Sequence, residues 1–151
     1  MDSSKTSCDI VERVIAFLDL KGYHRLIAAN LSEAELFNFL SDYYSLVSSL
    51  VDDECEGEII KFLGDGILVV FPPSKISPSI DRLKTIKERT DLFLKGQGFD
   101  TVLCVKAGIG LVAYGELGKG KDIVGRAVNE VALLPDGEFV LSQALKERTD
   151  S

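Results

Sequence analysis

The sequence predicts an α+β sandwich of the ferredoxin-like type, in which an antiparallel sheet carries helices on one face. Segments with strand and helix periodicity alternate in the order β-α-β-β-α-β, which is the pattern of this fold. Gly64-Asp65-Gly66 separates two short β-rich runs and indicates a tight hairpin. The 151 residues, 46% hydrophobic and 27% charged, suit a single domain over residues 1–151 with one core.

The first strand and the first long helix have the clearest patterns. Residues 11–20 predict a strand whose centre, residues 14–18, is apolar on both faces, as in a buried central strand. Ser32 and Glu35 form a capping box, which predicts that a helix begins after Ser32. Spacings of three and four then give this helix one apolar face, made of Leu36, Leu40, Tyr43, Val47 and Val51.

The middle of the chain predicts a hairpin followed by a second long helix. Residues 58–63 and 67–71 are its two strands, and Pro72-Pro73 ends the second strand. Ser77-Pro78 predicts an N-cap with proline at the first helical position. Gly96 is expected to stop this helix. The helix is expected to bury Ile80, Leu83, Ile86 and Phe93.

The last third of the chain has weaker patterns. Residues 101–111 predict a fourth strand, and the glycine-rich residues 112–120 predict a turn or a short strand. Residues 125–134 predict a short helix that is halted by Pro135. Residues 139–141 predict a last short strand, followed by a tail.

Charge and composition exclude several classes of protein. Lys plus Arg is 17 and Asp plus Glu is 24, so the net charge of −7 argues against a nucleic-acid binder. The sequence contains no apolar run of ~18 residues and no signal-peptide pattern, so no membrane partner is expected. The chain has one histidine, His24, and three scattered cysteines, so we expect neither a zinc site nor disulfides. The absence of a disulfide pattern favours a cytoplasmic location. The cysteines are Cys8, Cys55 and Cys104.

Two carboxylates are candidates for a metal site. Asp19 lies at the end of the first strand and Asp65 lies in the hairpin turn. In a ferredoxin-like sheet these elements are central neighbours, so both carboxylates are expected at one edge. Two hard oxygen ligands suit Mg²⁺ or Mn²⁺ when phosphates supply the remaining ligands. The alternatives are that Asp65 is only a turn residue and that Asp19 caps the turn after its strand.

Other polar groups have a functional and a structural interpretation. The backbone after Asp19 could cradle phosphate oxygens or could form an ordinary turn; its residues are Leu20, Lys21, Gly22 and Tyr23. Lys61 lies in an apolar strand, where it faces either a ligand or solvent at an edge. Asp122 and Asn129 flank the start of the short third helix, where Asn129 is either catalytic or an ordinary surface residue.

Four segments together resemble a known family. They are FLDLKGY (residues 17–23), IKFLGDGILVVF (60–71), KAGIG with YGELG (106–118) and DIVGRAVN (122–129). They resemble, in the same order, the motifs of class III nucleotide cyclase catalytic domains. Each match is short, and it is their joint order that makes the resemblance specific.

The resemblance implies a two-metal mechanism. Asp19 and Asp65 would hold two Mg²⁺ or Mn²⁺ ions, and the 3′-hydroxyl of a nucleoside triphosphate would attack its own α-phosphate, expelling pyrophosphate. Lys61 and Asp122 match the adenine contacts of adenylate-selective members, so ATP is favoured over GTP. Asn129 matches the asparagine that positions the ribose. The family's active sites lie between two subunits, so the resemblance implies a symmetric homodimer.

The chain also departs from the family. Leu133 stands where the family has an arginine that stabilises phosphate charge, and leucine offers no donor. Residues 135–137 shorten the connection that follows, and the sequence reaches Ser151 before the family's closing lysine hairpin. Positive charge is expected instead from the cations near the glycine-rich turn, Lys119, Lys121 and Arg126.

Three functions remain open from the sequence. The first is an adenylate cyclase of weak activity. The second is a catalytically inactive cyclase-like module that binds nucleotide or dimerises as a regulatory domain. The third is an interaction domain without nucleotide.

Overall fold

The computed structural model describes residues 7–51 and 55–149. Its strands are β1 (Cys8–Leu20), β2 (Glu58–Leu63), β3 (Gly66–Phe71), β4 (Leu103–Leu117), β5 (Gly120–Val124) and β6 (Phe139–Leu141). Its helices are α1 (Tyr23–Leu26), α2 (Glu33–Val51), α3 (Ile76–Gly96), α4 (Arg126–Ala132) and α5 (Gln143–Thr149). Within these described ranges no helix combines the length and the apolarity that crossing a membrane requires.

The sheet has the predicted topology, with the first strand at its centre. The strand order is β2-β3-β1-β4-β5, all neighbours being antiparallel, and β6 pairs in parallel with β4. In the register of β1, Leu18 is opposite Ile67 of β3, and Asp19 is opposite Cys104 of β4. The end of β1 is therefore next to the turn between β2 and β3, as the ferredoxin-like prediction required.

The two long helices lie on one face of the sheet, as the ferredoxin-like pattern predicts, and the short α4 covers the other face. Alternate residues of β1 enter two separate cores: Val14, Ala16 and Leu18 enter one, and Ile15 enters the other. Helices α2, α3 and α5 contribute to the first core, whereas α4 packs on the second face. Room for α4 comes from glycine in β4, because a Cβ at Gly108 would lie 2.6 Å from Val131 of α4.

The first long helix begins as predicted. The Glu35 amide donates to the Ser32 hydroxyl over 3.2 Å, and the Ser32 amide donates to the Glu35 carboxylate over 2.9 Å. Hydrogen bonding to the Glu35 carboxylate by the Ser32 amide first, and then by the Ser32 hydroxyl, lowers the pKa of Glu35. The buried face contains Tyr43, Val47 and Val51 as expected, and it also contains Phe39, which the predicted face omitted.

The second long helix differs from the prediction at both ends. A 3₁₀ turn, Pro73–Lys75, leads directly into α3, so Lys75 and not Ser77 occupies the N-cap position. At the other end Gly96 is still helical, and the left-handed residue is Gly98 with φ of 85°. The Phe99 amide donates to the Leu94 carbonyl over 3.0 Å, which closes the helix in the manner of a Schellman motif.

The last third of the chain contains two elements that the sequence prediction missed. Strand β4 continues through residues 112–117 and turns back at Gly118 (φ 67°) into β5. Glycines at 115, 118 and 120 make residues 112–120 resemble a turn, which is why the strand was predicted to end at residue 111. The predicted tail forms helix α5, whose Leu145 is fully buried in the first core.

Candidate functional site

The structure brings the two candidate metal ligands together. The Leu20 amide donates to Oδ2 of Asp65 over 3.0 Å, so the hairpin turn is tied to the end of β1 beside Asp19. Partial burial, and then the negative charge of Asp65, raise the pKa of Asp19. Because ionised Asp19 is destabilised in this way, a cation bound beside its carboxylate would stabilise the ionised form.

Asp19 opens into a cleft of about 420 Å³. Lys106 also lines this cleft. It is opposite Phe17 in the β1–β4 register, and Phe17 is two residues before Asp19, so Lys106 and Asp19 lie on the same face of the sheet. Its Nζ lies 3.5 Å from Oδ1 of Asp136, which belongs to the loop before β6. Lys106 lowers the pKa of Asp19 and Asp136 raises it, both acting less strongly than burial and Asp65. The remaining lining residues are Leu20, Lys21, Gly22, Cys104, Gly137 and Glu138.

Sequence reasoning missed Lys106 and Asp136. Lys106 could have been found by counting alternate residues along β4 once its pairing with β1 was assumed. Asp136 had no such indication, because it reaches the cleft through a loop.

The donor set fits Mg²⁺ or Mn²⁺ bound together with a phosphate ligand. Asp19 and Asp65 supply hard oxygen ligands, which these cations prefer. Within the described ranges no group of three or more His, Cys, Asp or Glu side chains is placed to hold a metal by itself. Substrate phosphates would therefore complete the coordination.

Two of the four backbone amides that were expected to bind phosphate donate to other partners. The Leu20 amide is bound to Asp65, and the Lys21 amide donates to the Val102 carbonyl over 3.1 Å. This leaves the amides of Gly22, which has φ of 64°, and of Tyr23 at the turn into α1. The Tyr23 side chain packs in the first core, and burial and then the charge of Asp65 raise the pKa of its hydroxyl.

The two candidate purine contacts form a second cluster. Nζ of Lys61 lies 3.0 Å from Oδ2 of Asp122, although β2 and β5 are at opposite ends of the strand order. The sheet therefore curves far enough to bring its two outer strands into contact. The Ile123 amide fixes the other Asp122 oxygen over 2.8 Å.

A register shift in β2 explains how Lys61 reaches this cluster. The pairing of β2 with β3 is irregular between Ile59 and Lys61. Because of this bulge, Lys61 shares a face with Glu58 instead of with Ile59. Glu58 in turn accepts a hydrogen bond of 2.8 Å from the Tyr114 hydroxyl of β4, a contact that the sequence did not indicate.

The remaining predicted residues lie apart from the cleft. Asn129 is exposed on α4, and Leu133 follows that helix with 82% of its surface exposed. In the part of the chain that the structure describes, the residues lining the Asp19 cleft do not include Lys61, Asp122 or Asn129. The described lining of the cleft also lacks the three cations expected to replace the family arginine, namely Lys119, Lys121 and Arg126. Lys21 and Lys106 are the cations that line it.

Comparison with known proteins identifies the fold. No family model and no curated protein sequence matches the chain. The adenylyl cyclase CyaB from P. aeruginosa matches with a TM-score of 0.84 at 19% identity, over 95% of this chain and 83% of that chain. The catalytic core of a rhodopsin-guanylyl cyclase with converted specificity, in complex with ATPαS, matches with a TM-score of 0.84 at 16% identity, over 96% and 85%.

A bacterial light-regulated adenylyl cyclase matches with a TM-score of 0.80 at 18% identity, over 98% of this chain. The chain spans about half of that protein, 48% of its length. The fold is therefore that of a nucleotide cyclase catalytic domain. This is the fold that the resemblance of the four sequence motifs to class III nucleotide cyclase catalytic domains had implied.

Proposed function

We propose that this protein is an adenylate cyclase that converts ATP to 3′,5′-cyclic AMP and pyrophosphate. The observation that carries the proposal is the bond from the Leu20 amide to Asp65, because it holds the Asp65 carboxylate close to Asp19, which lines the cleft. Two divalent cations bound there would activate the 3′-hydroxyl and neutralise the leaving pyrophosphate.

The residues of the cleft have separate roles in this proposal. Asp19 and Asp65 bind the cations, and the amides of Gly22 and Tyr23 bind phosphate oxygens. Lys106 supports phosphate binding with its positive charge once its weak contact with Asp136 is exchanged for the ligand. Lys21 is the second cation at this cleft.

ATP is the favoured substrate because of the Lys61–Asp122 pair. An ammonium group can donate to adenine N1, and a carboxylate can accept from the exocyclic amine. The ion pair holds both side chains in one place before the base binds. Asn129 positions the ribose from α4.

A homodimer completes the site. Within one subunit Asp19 lines the cleft and Asp65 is bonded to the Leu20 amide beside it, whereas neither Lys61 nor Asp122 lines the cleft, so each cleft takes its purine contacts from the partner. Two-fold symmetry then gives two equal sites. The exposed side chain of Asn129 is available for such a shared site.

The second candidate is a catalytically inactive domain that binds nucleotide or dimerises. Leu133 favours it, since an exposed leucine replaces a phosphate-binding arginine, and the loss of one such donor costs about a hundred- to a thousandfold in rate. ATP would then stabilise the protein without being turned over.

Incubation with ATP and Mn²⁺, with cyclic AMP detected by mass spectrometry, separates the two candidates. The cyclase proposal expects product that is lost in Asp19→Ala. Absence of product at a protein concentration that forces dimers contradicts it. A rise in melting temperature with ATP would then support the binding module.

A further inference from the structure

The turn that carries Asp65 is held by two adjacent tyrosines of α2. The Tyr43 hydroxyl donates to the Asp65 carbonyl over 2.9 Å, and the Tyr44 hydroxyl donates to the Gly64 carbonyl. Gly64 has a left-handed φ of 59°, and no neighbouring atom lies within 4 Å of a Cβ placed on it. The turn is thus open on its outer side and restrained from the helix side.

Each tyrosine is fixed by its own packing. Tyr43 is fully buried, and its ring stacks on Phe39 with centroids 6.2 Å apart. The Tyr44 ring stacks on Phe62 of β2 with centroids 4.1 Å apart. Both hydroxyls are consequently rigid donors, delivered by neighbouring positions of one helix to neighbouring carbonyls of one turn.

We propose that Tyr43 and Tyr44 are positioning residues for the cation site, since they fix the turn so that the Asp65 carboxylate is presented beside Asp19. Asp65 itself is restrained on one side by the Leu20 amide and through its backbone by Tyr43. Ligand-orienting contacts of this kind outside the coordination sphere typically contribute about 10–100-fold to metal affinity. This inference rests on the proposed function, in which Asp65 binds a cation.

The test compares Tyr43→Phe, Tyr44→Phe and the double variant with the wild-type protein. Phenylalanine keeps the stacked rings and removes only the donors. Mn²⁺ binding is measured by electron paramagnetic resonance in the presence of inorganic triphosphate, which supplies phosphate ligands but cannot be cyclised, and exchange of the Leu20 amide is measured by NMR. Tyr114→Phe is the matched control, because it also loses a hydroxyl bond but lies on β4 with Glu58 as its partner.

The double variant is expected to bind Mn²⁺ on the order of tenfold more weakly and to exchange the Leu20 amide faster, with an unchanged far-ultraviolet spectrum. Tyr114→Phe is expected to change neither quantity. A folded double variant with wild-type Mn²⁺ affinity and wild-type Leu20 exchange overturns the inference. Faster Leu20 exchange together with Mn²⁺ binding that Asp65→Asn leaves unchanged supports the positioning but overturns the metal site of the proposed function.

Discussion

The Leu20 amide and Oδ2 of Asp65 are 3.0 Å apart, and this hydrogen bond joins the central strand of the sheet to the tip of its neighbouring hairpin. The bond joins residues 45 positions apart in the sequence. It turns a residue that resembles an ordinary turn aspartate into one fixed beside a second carboxylate. The consequences for stability, specificity and activity can be measured separately.

Asp19 is expected to cost the metal-free protein stability. Its pKa is raised by burial and then by Asp65, so the folded protein holds this proton to higher pH than the unfolded chain does. The cost is absent below the ordinary aspartate pKa of about 3.9 and is fully present above the raised value. Asp19→Asn should therefore raise the melting temperature by a few degrees at pH 7 and give no gain near pH 3.5.

Calorimetry with and without Mn²⁺ checks this prediction. Mn²⁺ with ATP should stabilise the wild-type protein and leave Asp19→Asn unchanged. A variant that melts below the wild type at pH 7 would show that Asp19 has a structural role instead.

The Lys61–Asp122 pair is expected to determine base selectivity and to contribute little stability. Lys61 is 39% exposed, and an ion pair at such a site is worth about 1 kcal/mol or less. Guanylate-selective cyclases tend to carry Glu and Cys at the matching positions. The double variant Lys61→Glu/Asp122→Cys should melt close to the wild type and prefer GTP over ATP in a competition assay. Unchanged preference for ATP would remove both residues from the purine site.

Gly108 is expected to be required for the packing of α4. A Cβ there would lie 2.6 Å from Val131 Cγ2 and 3.0 Å from Ser142 Oγ. Gly108→Ala should lower the free energy of unfolding by about 1–3 kcal/mol, and Val131→Ala in the same chain should recover part of that loss. Gly96→Ala is the control: it lies in α3 with open space around it and should stabilise the protein by about 0.5–1 kcal/mol. Denaturant unfolding of the wild type, Gly108→Ala, Val131→Ala and the double variant measures the coupling, and Gly96→Ala is measured beside them.

Lys87 is expected to anchor the loop that brings Asp136 to the cleft. Its Nζ binds Asp91 at 2.9 Å, Glu138 at 3.0 Å and the Leu103 carbonyl at 2.8 Å. Lys87→Met should cost about 1–3 kcal/mol, because these acceptors lose their donor. Lys84→Met, an exposed position of the same helix, should cost little.

The pH dependence of Lys87 provides a second check. Burial acts to lower its pKa, but the bonds from Asp91 and Glu138 outweigh burial and raise it. Its contribution is therefore fully present below the ordinary lysine pKa of about 10.4 and is lost as the pH rises through the higher folded value. The difference between wild type and Lys87→Met should shrink only above that pH. A difference that shrinks already near pH 8 would contradict the assignment.

The sequence pattern correctly predicted the elements that depend on interactions between residues close together in the sequence. The Ser32–Glu35 capping box formed as expected, and the hairpin around Asp65 closed at the predicted residues. The sequence pattern was wrong about the length of β4, which depends on contacts between residues far apart in the sequence. The missed part of β4 contains Gly115, where a Cβ would lie 2.8 Å from the Ser7 carbonyl oxygen, and this closely packed glycine makes the segment resemble a turn.

Within the candidate site, the sequence predicted only those residues whose positions follow from the predicted strands. Asp19 and Asp65 could be placed together from the strand order alone. Lys106 needed the β1–β4 register, and the bulge that moves Lys61 beside Glu58 has no mark in the sequence. The tyrosine donors were predicted only in part, since Tyr43 was assigned to the core through its ring and not through its hydroxyl.

The most direct test of the shared site mixes two inactive chains. Asp19→Asn lacks a cation ligand and Lys61→Glu lacks a purine contact, so each homodimer should form no cyclic AMP from ATP and Mn²⁺. In the mixture half of the dimers pair the two variants, and each such dimer has one intact site, so about a quarter of wild-type activity should return. A mixture as inactive as its parents, beside an active wild type, would contradict a site built from the carboxylates of one subunit and the purine pair of the other.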